Sequence, residues 1–136
     1  MSERNKPINV SLEEVSFAVD CAASRKAGTV LLKNARVLNV FTQTIEQTNV
    51  LLAGRLIAGL GDYQQAETII DLHGHYLAPG LIDGHIHIES SLVTPAAYAA
   101  GVLPRGVTGI VCDPHEIANV AGVAGIRWLL EQSEGL

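Results

Sequence analysis

Two histidines separated by one residue, His85 and His87, end the apolar stretch "APGLIDGHIH" and could bind one metal ion together. Imidazole nitrogens are common ligands of divalent transition metals. Alternate side chains of a β-strand point to the same face, so the pattern predicts one polar face with Asp83, His85, His87 and Glu89. The alternative is that both histidines are ordinary polar residues at a strand end, because a His-x-His pattern is short.

A second polar run, "CDPHEIANV", follows another apolar segment and contains Asp113, His115 and Glu116. The run lies where the chain leaves a strand for a helix, which is the position of active-site residues in a barrel of parallel strands. Asp113 and Glu116 also have the spacing of a capping box, so helix capping is an alternative interpretation. Both can hold, since a capping residue can lie in a site.

The elements that would carry both motifs alternate between strand and helix after Gly80. "LIDGHIH" and "VTGIVCD" are short and apolar, as buried parallel strands are. Thr94 and Pro95 predict the N-cap and first residue of the helix "AAYAAGVL", and "ANVAGVAGIRWLLEQ" predicts a second helix. This order predicts an α/β fold in which helices cover a parallel sheet. We expect Trp128 to pack between its helix and the sheet.

The part of the chain before Gly80 has a different pattern. Ser11 and Glu14 predict a capping box that starts a helix running to about Ala23. Three segments rich in Val, Ile and Leu predict antiparallel strands of a small sheet, at residues 29–40, 48–61 and 67–80. We therefore predict a helical segment, a strand-rich part and a strand–helix part, with bounds at residues 1–27, 28–80 and 81–136.

Composition and charge exclude several classes of function. The 136 residues include 48% hydrophobic residues, enough for a core, and the formal net charge is −5. Nine Lys and Arg without a basic run provide no surface for nucleic acid or an anionic membrane. No apolar run approaches the ~20 residues of a spanning helix, and the first residues lack a signal peptide. With two cysteines far apart, we expect reduced thiols in a cytoplasmic protein.

The two motifs together resemble a known family. "APGLIDGHIH" is similar to the approach to the first barrel strand in the amidohydrolase superfamily of metal-dependent hydrolases. "GLIDGHIHIESSLVTPAAYAAGVLPRGVTGIVCDPHEIANVAG" resembles the adenine deaminases of bacteria, and a looser resemblance continues upstream. The resemblance implies the start of a (β/α)8 barrel preceded by part of a small β-sandwich. Such a barrel takes ~250 residues, so we expect it to be incomplete in this chain.

The resemblance also implies an activity, the hydrolysis of adenine to hypoxanthine and ammonia in purine salvage and adenine catabolism. It implies a divalent cation that activates water, Mn²⁺ before Fe²⁺ or Zn²⁺, with one or two ions in the site. A general acid must protonate the ring nitrogen and the leaving ammonia. Seven residues receive roles: metal ligands His85 and His87, catalytic groups Glu89, His115 and Glu116, and substrate-binding groups Asp113 and Ser90. We expect adenine as the small-molecule substrate and a homo-oligomer in the full-length enzyme.

Two residue assignments have alternatives. The resemblance indicates that His73 and His75, on either side of Gly74, are turn residues, although both histidine pairs together have the ligand count of a structural zinc site. Glu89 either orients a ligating histidine or is a surface carboxylate.

Two other functions stay open. One is a truncated, non-catalytic protein that binds a metal or a partner. The other is a different cyclic amidohydrolase, such as a dihydroorotase-like enzyme. It is disfavoured because an acidic substrate would lead us to expect a basic residue near Glu89, where the sequence reads "HIHIESS". Few metal-ligating residues follow Glu116, so we expect the site to be completed elsewhere and the chain to be the amino-terminal portion of a larger enzyme.

Overall fold

The computed structural model describes residues 9–136, which form two compact units that meet in the sequence between Ala78 and Pro79. No helix within this range is both long and apolar enough to cross a membrane. Three helices and seven strands follow one another in the order α1 (Leu12–Ala22), β1 (Gly28–Asn39), β2 (Thr44–Ala53), β3 (Leu56–Gly61), β4 (Ala66–Asp71), β5 (Tyr76–Leu77), β6 (Leu81–Ile86), α2 (Pro95–Val102), β7 (Val107–Cys112) and α3 (His115–Gln132).

The first helix begins at the predicted capping box. The Ser11 hydroxyl accepts a hydrogen bond from the Glu14 N–H at 3.1 Å, and the Glu14 carboxylate accepts one from the Ser11 N–H at 2.8 Å. Arg55, between β2 and β3, donates to Glu14 Oε1 at 2.7 Å and to the Asn9 carbonyl at 2.9 Å. The start of α1 is therefore tied to the neighbouring hairpin.

The sheet of the first unit has the strand order β3-β2-β1-β4, with β5 also beside β1. β1 and β2 are antiparallel, as are β2 and β3, which agrees with the prediction. The predicted antiparallel arrangement is wrong for the third segment, because β4 and β5 both run parallel to β1. The segment 48–61 forms two strands, since Gly54 adopts a φ of +59° and the chain reverses there.

Helix α1 covers one face of this sheet. Its Cys21 packs in a buried cluster with Leu31, Leu51 and Ala53, and the Cys21 thiol donates to the Ala27 carbonyl. The strand register aligns four apolar residues that alternate with this cluster and so belong to the opposite face: Leu32, Val50, Leu60 and Ile70. Ile70 is 45% exposed, so the outer part of that second face is accessible.

The second unit follows the predicted order of strand, helix, strand and helix. β6 and β7 are parallel and pair with each other. A 3-10 turn, Glu89–Ser91, follows β6, and a second one, Leu103–Arg105, follows α2. The Thr94 hydroxyl accepts from the Ala97 N–H at 3.3 Å and Pro95 is the first residue of α2, so the predicted start of this helix is confirmed.

Helix α3 differs from its prediction in three respects. It begins at His115, and its N-cap is Pro114 without a side-chain hydrogen bond, so the predicted capping by Asp113 is wrong. The Asp113 carboxylate contacts the His115 ring instead. Gly122 interrupts the helix with a φ of 59° and a ψ of −149°, a conformation that side chains disfavour. Trp128 is 43% exposed within the second unit rather than part of a core.

Candidate metal site

The carboxyl ends of β6 and β7 lie side by side because the two strands are parallel. The Asp113 N–H donates to the Ile86 carbonyl at 3.0 Å, which continues the pairing one residue past β7. His87 follows β6 and Asp113 follows β7 at the same edge of the sheet. The strand geometry thus brings together two motifs that are 26 residues apart.

His85, His87 and Asp113 form a cluster in which each residue offers one ligand atom within 4.8 Å of the others. The Nε2 atoms of the two histidines are 2.9 Å apart, and the rings meet edge to face with centroids separated by 4.7 Å. Both predicted ligands therefore point to one place. Asp113, which the resemblance placed among substrate-binding residues, offers the third ligand atom.

A backbone contact indicates the tautomer of His87. Its Nδ1 lies 2.7 Å from the Asp113 carbonyl, and a carbonyl oxygen can only accept, so Nδ1 carries the hydrogen. The neutral ring then has its lone pair on Nε2, the form that binds a metal ion. Two imidazole nitrogens and a carboxylate oxygen are a donor set that Mn²⁺, Fe²⁺ and Zn²⁺ accept, so these residues fit a divalent cation.

His115 lies beside the cluster at the first position of α3. Its Nδ1 is 3.0 Å from Asp113 Oδ2, and its ring meets His87 edge to face at 4.6 Å. Both side chains of the His115–Asp113 pair are about half exposed. The hydrogen bond from the His115 Nδ1–H to the Asp113 carboxylate is therefore accessible to solvent.

The remaining predicted residues, Glu89, Ser90 and Glu116, connect the turn after β6 with the start of α3. The Ser90 hydroxyl donates to Glu116 Oε1 at 2.6 Å, and the Ile117 N–H donates to Glu89 Oε1 at 3.2 Å. Glu89 Oε2 is buried without a hydrogen-bond partner. β6 ends at Ile86, so strand alternation holds for His85 and His87 but does not extend to Glu89.

Two side chains of the second unit, Tyr98 and Cys112, have raised pKa values. Burial raises the pKa of the Tyr98 hydroxyl, and the nearby Asp83 carboxylate raises it further. Burial also raises the pKa of the Cys112 thiol, although a hydrogen bond from the Ile88 backbone opposes this. A thiol must lose its proton to bind a metal, so Cys112 is a poor candidate ligand.

The sequence prediction missed Asp113 as a candidate ligand. The sequence did contain a signal for it. Parallel strands end at the same edge of a sheet and each motif directly follows its strand, so Asp113 could have been expected near His87. The other histidine pair lies in a turn between β4 and β5, where His73 adopts a φ of 48°, so its interpretation as a turn is confirmed. Within residues 9–136, the one group of at least three candidate ligands contains neither His73 nor His75.

Comparisons with known proteins agree with this arrangement. Residues 76–136 match the profile of the amidohydrolase family. The chain is 49% identical to an adenine deaminase of Kosmotoga olearia over 118 residues, which cover 87% of this chain and 20% of that protein. It is 45% identical to an adenine deaminase of Listeria monocytogenes over 126 residues, 93% of this chain and 22% of that protein. The chain therefore spans about one fifth of the length of these curated relatives.

A solved structure shows a similar fold. The L-hydantoinase (dihydropyrimidinase) of Arthrobacter aurescens superimposes with a TM-score of 0.50 and 23% sequence identity, over 64% of this chain and 21% of that protein. The similarity is one of fold, since the sequence identity is low.

Proposed function

Because residues 76–136 match the profile of the amidohydrolase family, we propose that this chain is the amino-terminal part of an enzyme that hydrolyses adenine to hypoxanthine and ammonia. The observation that carries the proposal is the convergence of His85, His87 and Asp113 at one sheet edge. It occurs in a chain that is 43–49% identical to several adenine deaminases. Both motifs of the resemblance meet in this cluster.

The proposed cofactor is a divalent cation held by His85 and His87, with Asp113 as a further ligand. We propose Mn²⁺ as the preferred cation, with Fe²⁺ and Zn²⁺ as alternatives. The complete site would hold one or two ions. When bound by these residues, such a cation would lower the pKa of a water molecule and so supply the nucleophile for hydrolysis. The Asp113 carbonyl keeps the His87 ring oriented by accepting its Nδ1–H.

The residues around the cluster have proposed roles in proton transfer and substrate binding. Departure of ammonia requires a proton for the ring nitrogen and for the leaving group. The His115 Nδ1–H donates to Asp113 Oδ2 beside the cluster, and Glu116, the next residue of α3, accepts the Ser90 hydroxyl. We assign His115 and Glu116 to proton transfer and Ser90 to contacts with adenine. Glu89 belongs to the catalytic group as a positioning residue, and Asp113, which the resemblance placed in contact with adenine, is assigned to the metal ion.

The fold proposal divides the chain at residues 27 and 80 into a helical segment, part of a β-sandwich and the first two units of a (β/α)8 barrel. The second apolar face of the first sheet, which includes Leu32 and Ile70, supports the sandwich, because a sandwich buries both inner faces. The parallel β6 and β7 with their helices support the barrel. The curated relatives contain about four times as many residues, which is enough to complete both.

We further propose a cytoplasmic enzyme of purine salvage that assembles as a homo-oligomer. Adenine is its proposed partner, and neither nucleic acid nor a membrane is. The net charge of −5 and the absence of a basic run support this choice of partner.

The test is to isolate the native protein from its source cell through peptides of this sequence and to measure its intact mass and activity. We expect a mass several times the 14.4 kDa of this chain, and release of ammonia from adenine that a chelator abolishes and Mn²⁺ restores. A native protein that is loaded with metal and leaves adenine unchanged would contradict the proposed substrate. A native mass of 14.4 kDa would contradict the proposal that this is part of a larger enzyme.

A further inference from the structure

Three hydrogen bonds connect residues 87–90, which follow β6, with residues 113–117, which precede and begin α3. His87 Nδ1 donates to the Asp113 carbonyl at 2.7 Å, and the Ser90 hydroxyl donates to Glu116 at 2.6 Å. The third bond runs from the Ile117 N–H to Glu89 Oε1 at 3.2 Å. Only the first of these bonds involves a residue of the metal-binding cluster directly.

Helix α3 has no capping side chain of its own. Its N-cap is Pro114, whose ring offers no acceptor for the free N–H groups of the first turn. Ile117 is the third helical residue, whose N–H is one that a capping side chain usually binds. Glu89 supplies that acceptor from a neighbouring element, and its negative charge suits the positive end of the helix dipole.

We propose that Glu89 is a positioning residue that caps α3 from the turn after β6 and thereby keeps His87 in its metal-binding tautomer. This inference rests on the proposed function, because the cap matters for function only if His87 is a metal ligand. It also differs from a direct contact with the histidine, since Glu89 reaches the backbone of Ile117.

The physical link runs through the backbone that precedes the helix. Asp113 lies two residues before His115, the first residue of α3. Its N–H is held by the Ile86 carbonyl, so we infer that its own carbonyl, on the side of the helix, is held in place by the capped helix start. If the Asp113 carbonyl moves away, no acceptor favours a hydrogen on His87 Nδ1. The neutral imidazole then populates both tautomers.

The test compares Glu89→Ala with Glu89→Gln in the metal-free chain, at a pH where the imidazoles are neutral. Imidazole ¹⁵N chemical shifts report the tautomer of His87, and amide exchange of Ile117 reports the cap. We expect Glu89→Ala to give a mixture of tautomers and to speed Ile117 exchange by about fivefold or more. Glu89→Gln keeps a carbonyl acceptor and should keep the Nδ1–H form. The Ile110 amide in β7 should exchange as in the unaltered chain, which excludes general unfolding.

Ser90→Ala is the matched control, because it removes the neighbouring bond to Glu116 but leaves the Glu89 cap intact. An unchanged His87 tautomer in Glu89→Ala would overturn the proposal. A loss of the same size in Ser90→Ala would also overturn it, since any disturbance of the turn would then have this effect. Binding of Mn²⁺ is measured separately, so a failure of the proposed metal site is distinguishable from a failure of the cap.

Discussion

The facing Nε2 atoms of His85 and His87 lead to a prediction about cation binding, which can be tested without an activity assay. Their separation of 2.9 Å is that of a hydrogen bond, in which His85 Nε2–H donates to the lone pair of His87 Nε2; a cation that binds both rings takes the place of that hydrogen. We expect His85→Gln/His87→Gln to abolish the binding of Mn²⁺ or Co²⁺, measured by equilibrium dialysis or by the absorption of Co²⁺.

The chain contains its own matched control for this experiment. His73 and His75 have the same His-x-His spacing but lie in a turn, with the His73 side chain 77% exposed. We expect His73→Gln/His75→Gln to bind the cation as the unaltered chain does. Equal losses in both double variants would contradict the assignment of the site to His85 and His87.

Glu14 makes the stability of the first unit depend on pH. The hydrogen bond from Arg55, with the backbone N–H of Ser11, lowers the pKa of Glu14 from 4.5 to about 2. A lowered pKa in the folded state stabilises the fold above the unfolded value, and this stabilisation is lost as the pH falls from about 4.5 to about 2. We expect Glu14→Gln to reduce the loss of stability in this range, measured as the urea midpoint at several pH values.

Arg55→Gln provides the reciprocal variant. It removes the largest cause of the lowered Glu14 pKa but leaves the Ser11 capping box in place. We expect it to reduce the pH dependence in the same range. A pH dependence that both variants leave unchanged would contradict this account.

Individual site residues could be predicted from the sequence only to the extent that their spacing is local. The convergence of His85 and His87 follows from the period of a strand, which two residues reveal. The contribution of Asp113 depends on the pairing of two strands and on which backbone groups remain free at their ends. The position of Glu89 depends on where β6 ends, and a 3-10 turn replaces the strand there.

At the scale of the elements, Gly28 at the start of β1 makes a further prediction. A Cβ at this position would lie 2.6 Å from the Leu52 carbonyl oxygen and 2.6 Å from Leu51 Cδ1. The backbone oxygen cannot yield without moving β2, so we expect Gly28→Ala to lower the free energy of unfolding by about 1–3 kcal/mol. Urea unfolding measures the change.

Gly101 in α2 is the control, because nothing lies within 4 Å of a Cβ built there. Replacing a helical glycine by alanine removes backbone entropy from the unfolded chain, so Gly101→Ala should raise stability by about 0.5–1 kcal/mol. A Gly28→Ala variant as stable as Gly101→Ala would show that β1 and β2 can separate enough to admit a methyl group.

The existence of most elements could be predicted, because caps and apolar periodicity are encoded locally. The capping box of α1 and the Thr94–Pro95 start of α2 are examples. The direction of β4 could not be predicted this way, since the chain crosses from β3 at one edge to the far side of β1. The interruption of α3 at Gly122 likewise lies within a segment whose apolar pattern reads as one helix.

On the scale of the whole molecule, the second unit exposes many apolar side chains. Ile82 on β6 is 72% exposed and Val120 on α3 is 86% exposed. Parallel strands are normally covered on both faces, and the curated relatives have about four times the length of this chain. If the proposed function holds, we expect these exposed residues to pack against further parts of the enzyme.

This surface predicts that the 136-residue chain binds a hydrophobic dye and self-associates as its concentration rises. Val120→Glu/Val123→Glu places two charges on α3 and should lower both dye fluorescence and the mass seen by sedimentation. Phe41→Glu is the control, because Phe41 is 95% exposed but lies in the loop between β1 and β2 of the first unit. If Phe41→Glu suppresses association as strongly as the α3 variant, the associating surface is not on the second unit. A monomer that binds no dye would show that the exposed side chains are too dispersed to form a packing surface.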